Sequence, residues 1–305
     1  MSPLVDPSQT RPPIPRDGQE LLLLLQGGLG NQLFQLVLAE SLARALVRPL
    51  ARSTVLMESR SRRLRGLTCR TLSPLVRERL PVVSMPWHRY LAQRLAARLK
   101  KPIWPGVLTD RLLAETARQP SPLLDRLGWV RFIHSHATHP ALFGAEFTAS
   151  WLATLEALGS CWPGPAVAVA VHVRRTDYLN PRSGFVPLGE SYYRAALAKA
   201  LAALPTQYTP IVVHVCSDDP QWCRIHLQDP AWRLEISHGT PEQDLATMVH
   251  ARVLITSNSS LSAIAGHLAQ LRDPSTLVLT PGRWLLKADG RLGDLRKADW
   301  QVVIP

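Results

Sequence analysis

Cysteine is scarce: four in 305 residues, Cys69, Cys161, Cys216 and Cys223. No two of them form a CxxC pair and their spacing makes no disulfide ladder, which argues against a Cys-based zinc site and fits a reducing compartment. Long apolar runs are missing as well. The leucine run at 21–25 falls far short of the ~20 apolar residues a membrane-spanning helix needs, and no other segment is long and apolar enough. The N-terminus lacks the charged, apolar and small-residue blocks of a signal peptide; residues 1–19 are polar and proline-rich and read as a flexible leader. The expected location is the cytoplasm. Acidic residues are nearly absent from one segment. Between Arg48 and Lys101 stand 14 Lys and Arg against only Glu58 and Glu78. The remainder of the 35 basic and 23 acidic residues is balanced at 21 each, so the net charge of +12 is a regional feature.

Two common cofactor signatures are also lacking. Gly27, Gly28 and Gly30 close a short strand at 21–26, Asn31 stands as the expected N-cap, and 32–46 reads as a helix rich in Ala and Leu. A dinucleotide fingerprint wants a third glycine where Leu33 stands. It also wants an acid about 20 residues on, where Arg48, Pro49 and Arg52 stand instead, so a nicotinamide dehydrogenase is disfavoured. The strand expected at 129–135 runs into His134, His136 and His139, which have no neighbouring acid or cysteine and read as loop or core histidines, not a metal site.

What is present is regular α/β alternation. With 46% hydrophobic and 19% charged residues the chain is globular, and its length suits two α/β domains or one large one. The first half covers 20–160 and includes the basic segment 48–101. A Trp-Pro-Gly-Pro hinge at 162–165 opens the second, 161–285, and 286–305 is a tail packing back on the body. The second half reads as strand 166–173, helix 190–204, strand 211–216, a short helix after Pro220, strand 233–236, helix 241–250, strand 253–255, a helix to 271 and strand 276–279. Five strands separated by helices predict a doubly wound parallel sheet. Within the basic segment, 87–101 reads as a helix with Leu91, Leu95 and Leu99 on one stripe. Its alternatives are an ordinary surface helix and peripheral contact with an anionic membrane at the inner face. Nucleic acid is disfavoured, since no stacking or zinc motif accompanies the charge.

Three strand ends in the second half carry polar clusters, and ligands of open α/β sheets sit beyond the carboxyl ends of strands. The stretch AVAVAVHVRRTDY ends in His172, Arg174, Arg175 and Asp177. Two adjacent guanidiniums suit a diphosphate, the alternative being one arginine paired with Asp177 and the other solvated. Asp218 and Asp219 suit a ribose hydroxyl or guanine N–H groups. Ser257, Asn258, Ser259 and Ser260, at a helix start, offer hydroxyls and N–H groups to phosphate, or simply a cap. Together they spell a nucleoside diphosphate site.

The motifs GGLGNQLFQ (27–35), HVRRTDY (172–178), SDD (217–219) and ITSNSSLS (255–262) resemble the inverting α-1,2-fucosyltransferases of glycosyltransferase family 11, in that family's order and rough spacing. The resemblance implies an α/β, GT-B-like fold of two Rossmann-like domains facing across a cleft, with GDP-fucose as donor and no other cofactor. By position, Arg174 binds the β-phosphate and Arg175 supports it or Asp177. His172 with Asp218 or Asp219 holds guanosine, and Asn258, Ser259 and Ser260 lie at the diphosphate. Gly28, Gly30 and Asn31 close over fucose from the facing domain. The chain departs from the family pattern at Leu261-Ser262-Ala263-Ile264-Ala265, where an aromatic continuation is usual, and at Ile133-His134-Ser135, where an aromatic-Gln-Ser is. The implied reaction is metal-independent transfer of fucose to the 2-OH of a terminal β-galactoside, free or lipid-linked. Another linkage or acceptor, and a non-catalytic GDP-sugar-binding protein, are the alternatives. The base that takes the acceptor proton is open between Asp177, Glu190 and His134.

Overall fold

A computed structural model describes residues 20–53, 73–82, 106–161, 167–205, 210–286 and 295–304. The leader, the hinge, the expected helix at 87–101 and most of the basic segment lie outside the described residues. No helix among the described residues is long and apolar enough to cross a membrane.

The leucine run forms strand β1 (Leu21–Leu24), buried along its whole length. Helix α1 (Leu29–Ala45) follows the glycine turn and begins three residues earlier than expected. Gly28, in extended conformation, is the N-cap, so Asn31 lies inside the first turn and does not cap. Two buried glutamines fix this start. Gln35 exchanges hydrogen bonds with the backbone of Gln26, donating to its carbonyl (3.0 Å) and accepting from its N–H (3.1 Å). Gln32 donates to the Gly27 carbonyl at 3.1 Å. Gly27 supplies the positive φ of 80° that the turn needs.

The first half continues with β2 (Leu50–Ser53), helix α2 (Pro74–Arg79), β3 (Val107–Thr109), α3 (Asp110–Ala117), β4 (Phe132–His134) and α4 (Thr148–Cys161). Its four strands are parallel, in the order β2-β1-β4-β3. The described part of the basic segment is structural. Arg52 is buried and donates to the carbonyls of Leu80 (2.9 Å) and Arg77 (3.3 Å); Arg48 donates to Val130 O at 2.6 Å; Arg79 pairs with Glu40 at 2.8 Å.

The second half comprises β5 (Val167–Val173), α5 (Glu190–Ala203), β6 (Val212–Ser217), α6 (Pro220–His226), β7 (Arg233–Ile236), α7 (Pro241–Val249), β8 (Ala251–Ile255), α8 (Ser260–Arg272), β9 (Leu277–Pro281) and β10 (Gln301–Val303). Among the described residues the sheet is parallel and has six strands, not the expected five, in the order β10-β9-β8-β5-β6-β7. The sixth, β10, is three residues long with only its last position buried, which leaves almost no hydrophobic pattern to read. This strand order is doubly wound, reversing direction between β5 and β8. Along β5, Val169, Val171 and Val173 face one core while Ala170 faces the other, the two-residue period of a strand buried on both faces.

The two parallel sheets bear out the expected α/β class, and one hydrophobic core joins them. It contains Leu33, Leu36 and Leu38 of α1, Trp151 of α4, and Ala263, Ile264 and Leu268 of α8. Helix α1 is buried on nearly every side because it packs on both α4 and α8. Phe34 meets Trp151 edge-on at 5.6 Å, and Phe143 stacks on His267 of the other half. Gly30 is the closest point of approach, since a Cβ there would lie 2.5 Å from the backbone nitrogen of Leu261 and the carbonyl carbon of Ser260. Gly30→Ala therefore forces backbone apart and is expected to destabilise by about 1–3 kcal/mol, the usual cost of overpacking. Denaturant unfolding reads this directly; an unchanged midpoint would contradict the close approach.

Candidate active site

In the second sheet the strand order reverses between β5 and β8, and the carboxyl ends of β8 and of β1 in the first sheet lead to the same place. Beyond β1 comes the glycine turn and the first turn of α1. Beyond β8 come Ser257, Asn258 and Ser259 and the first turn of α8. The first N–H groups of a helix have no partner within it and form its positive end. At Gly30 and Ser260 two such ends meet, and a shared anion is the natural way to relieve their repulsion.

Beyond β5 the arginine motif is held tightly. Arg174 Nη2 lies 2.8 Å from Asp177 Oδ1 and Nη1 lies 3.2 Å from Asp218 Oδ2. Burial opposes its charge, but these two carboxylates outweigh that and raise its pKa further. Arg175 is not solvated. Its Nε lies 3.4 Å from Asp219 Oδ2, its Nη1 donates to Leu188 O at 3.0 Å, and its guanidinium rests 4.0 Å from the Trp222 ring centre. The carboxylate that Arg175 meets is thus Asp219 and not Asp177. Asp218 also accepts from the Arg175 N–H (2.9 Å) and the Thr176 hydroxyl (2.5 Å), while Asp219 caps α6 through the Trp222 N–H at 3.1 Å. Two guanidiniums therefore sit among three carboxylates.

The β5 and β8 ends are stitched together. His172 Nδ1 lies 2.7 Å from the Ser257 hydroxyl, and Tyr192 donates to Thr256 O at 2.6 Å. Tyr178 donates to Asn258 O at 3.3 Å, stacks on Phe185 at 4.1 Å, and has its ring 5.7 Å from the Arg174 guanidinium. Asn258 is wholly buried. Its Nδ2 donates to Val186 O (2.8 Å) and Trp284 O (2.9 Å), whereas its Oδ1 has no partner among the described residues. Ser259 caps α8, accepting from the Leu261 N–H at 3.4 Å. The departure after the serine cluster is explained by packing: Ser262 donates to the carbonyls of Ser257 (3.0 Å) and Ser259 (3.2 Å), and Ala263, Ile264 and Ala265 lie in the shared core.

The candidate bases differ in setting. Asp177 is 45% exposed and pairs with Arg174. Glu190 is occupied by Arg194 (2.6 Å) and His226 (2.7 Å), whose hydrogen bonds hold its carboxyl below the ordinary range. His134 ends β4 opposite Thr109. Sequence reasoning missed the anchoring glutamines, Gln32 and Gln35, and a cluster made by Asp110, Ser135 and His136. Amides recurring within an otherwise apolar helix were the available signal for the first. The second joins residues 25 positions apart and left none.

Residues 158–281 match the model of Glycosyl transferase family 11. This stretch, about two fifths of the chain, is similar to the glycosyltransferases of family 11. The chain is also 26% identical over 270 residues to Galactoside 2-alpha-L-fucosyltransferase Sec1 of Mus musculus, covering 84% of this chain and 66% of that protein, just under two thirds of its length. Among solved structures, NodZ alpha-1,6-fucosyltransferase soaked with GDP-fucose aligns with a TM-score of 0.44 at 14% identity over 82% of this chain and 92% of that one. E. coli heptosyltransferase WaaC with ADP aligns at 0.46 and 12% identity over 93% and 92%.

Within this stretch His172 is neutral. Burial, then Arg174, lowers its pKa from 6.5 to about 4. Burial likewise takes His267 to about 3. Both pKa values are depressed on folding, so the unfolded chain binds protons that the folded chain refuses. Stability is then full above about 6.5 and is lost as pH falls through that value towards about 4. Unfolding measured at about pH 7 and about pH 5 should show this loss, and His172→Gln should flatten it; a slope identical to the wild type would exclude His172 as a source.

Proposed function

We propose that this protein transfers L-fucose from GDP-β-L-fucose to the 2-OH of a terminal β-galactoside, with inversion and without a metal ion. The observation that carries the reading is the meeting of two helix starts at Gly30 and Ser260, tied through Asn258 and Tyr178 to Arg174. As the glycosidic bond breaks, negative charge grows on the β-phosphate of the departing GDP. Fixed N–H groups and a guanidinium aimed at that point stabilise the transition state more than the ground state.

Within this reading the roles divide. Arg174 takes the β-phosphate, and Arg175, bonded to Asp219, Leu188 and Trp222, holds the loop in place. Ser259 and Ser260 present the α8 start, Gly28, Gly30 and Asn31 present the α1 start, and neutral His172 fixes the β8 loop through Ser257. The guanosine contact assigned to His172 and Asp218 or Asp219 is part of the proposal. The likeness to a galactoside 2-fucosyltransferase supports the linkage, and the N–H groups of the two helix starts with the Arg174 guanidinium, donors suited to the charge a metal would otherwise meet, support metal independence.

Arg174→Ala is expected to lower kcat by about 10²–10³-fold, the typical cost of losing one preorganised donor. Glu190→Gln should leave turnover within about two-fold, because that carboxylate is already engaged by Arg194 and His226. GDP release from GDP-fucose with lactose as acceptor, in excess EDTA, measures both, and NMR of the product gives the linkage. Full loss of turnover in EDTA would reject metal independence, and no fucosylated product from any β-galactoside would reject the acceptor.

A further inference from the structure

The carboxyl edge of the first sheet carries a built side-chain cluster that no role above uses. Asp110, the first residue of α3, follows β3, and Ser135 and His136 follow β4, the neighbouring parallel strand. Asp110 Oδ1 accepts from the Ser135 hydroxyl (2.6 Å) and the His136 N–H (2.7 Å), and Asp110 Oδ2 lies 3.0 Å from His136 Nδ1. Ser135 in turn accepts from the Ala137 N–H at 2.8 Å. Ala137 is buried with φ of 54°, the left-handed region a non-glycine residue rarely occupies. Such an outlier persists only where its surroundings fix it, and it is more frequent at functional sites than elsewhere. Burial disfavours the Asp110 carboxylate, but hydrogen bonds from His136 and Ser135 more than compensate and leave it ionised.

The result is an imidazole with one nitrogen fixed and one left over. With Nδ1 on the carboxylate, the other ring nitrogen, Nε2, bonds to none of the described residues, and the His136 side chain is 41% exposed. A carboxylate on Nδ1 selects the tautomer with the lone pair on Nε2 and stabilises the cation formed when that nitrogen takes a proton.

Its position matters as much as its chemistry. β4 pairs directly with β1, in the register Leu22 with Phe132 and Leu23 with Ile133. Being parallel neighbours, the two strands end at the same edge of the sheet, where β1 leads into the glycine turn and β4 into Ser135 and His136. β1 and β4 are the central pair of the order β2-β1-β4-β3, and ligands of open α/β sheets sit beyond the carboxyl ends of the strands. On the β1 side stands the glycine turn that abuts Ser260.

We propose that His136 is the catalytic base for the acceptor and Asp110 its positioning residue. The inference rests on the fucosyl transfer proposed above. In the step, the acceptor hydroxyl oxygen forms a bond to the fucose anomeric carbon while that carbon's bond to the β-phosphate oxygen breaks. The bonding electrons leave with GDP, and the hydroxyl proton passes to His136 Nε2.

The test uses the full chain with GDP-fucose and lactose. His136→Ala should lose about 100-fold or more in kcat, in the range expected for a positioned base, while KM for GDP-fucose and the affinity for GDP stay within about two-fold. Added imidazole should restore part of the lost rate. Asp110→Asn should lower kcat by about 10-fold with KM for GDP-fucose retained. His136→Gln, of similar bulk, provides the same reading if the alanine variant fails to fold. A His136 variant that binds GDP normally and keeps more than about a third of the wild-type kcat overturns the proposal. So does parallel loss of GDP affinity and turnover in both variants with no imidazole rescue, which marks a structural role. Inactivity of the wild type with every β-galactoside would instead reject the fucosyl transfer itself.

Discussion

The close approach of α1 and α8 is the constraint that organises this molecule. Two helix starts carrying unpaired N–H groups would repel if brought together in isolation. They are held together by what lies behind them, the core that runs from Leu33 through Trp151 to Leu268. Hydrophobic burial fixes the geometry, and the electrostatic cost is left at the surface where a ligand can relieve it. Gly30 is the hinge of this arrangement because any side chain there would collide with the α8 backbone.

The same logic explains why so many polar residues near the site face inward. Gln32 and Gln35 tie the glycine turn to α1, Asn258 spans two loops, and His172 is kept neutral to bond Ser257. Each satisfies buried backbone or side-chain groups that would otherwise be costly. None of these contacts needs the ligand in order to form, so the loops are set before it arrives. In the proposed reaction the nucleotide would meet a surface that requires little rearrangement, the condition under which fixed dipoles are most effective.

Much of this was legible in the sequence and some was not, for identifiable reasons. The strand 167–173 and its polar end were readable because a sheet buried on both faces leaves a continuous apolar run. The start of α1 was misplaced because Asn31 looks like a cap, whereas the backbone of Gly28 and two distant amides determine the boundary. In the sequence Arg48 and Arg52 stand only as residues replacing a ribose-binding acid and as part of the basic segment, yet their guanidiniums donate to the backbone carbonyls of Val130 and Leu80. β10 was missed because three residues at a sheet edge carry too little pattern. The cluster of Asp110, Ser135 and His136 exists only through the pairing of β3 with β4, which no local spacing encodes.

The arginine motif departs furthest from its simplest reading, and the departure is informative. Taken as letters, Arg174 and Arg175 form a positive cradle; in the fold they stand among three carboxylates and carry no excess charge. A single charge pair at about 4 Å is worth about 4 kcal/mol at an effective dielectric of 20, before desolvation. In the proposed reaction the donor's diphosphate, bearing more than one negative charge, would compete for Arg174 against the half-exposed Asp177, with Asp218 left behind as a brace. Binding then exchanges one anion for another and does not fill an unpaired cationic hole. In the proposed reaction this exchange would tie the removal of a loop carboxylate to the arrival of the donor.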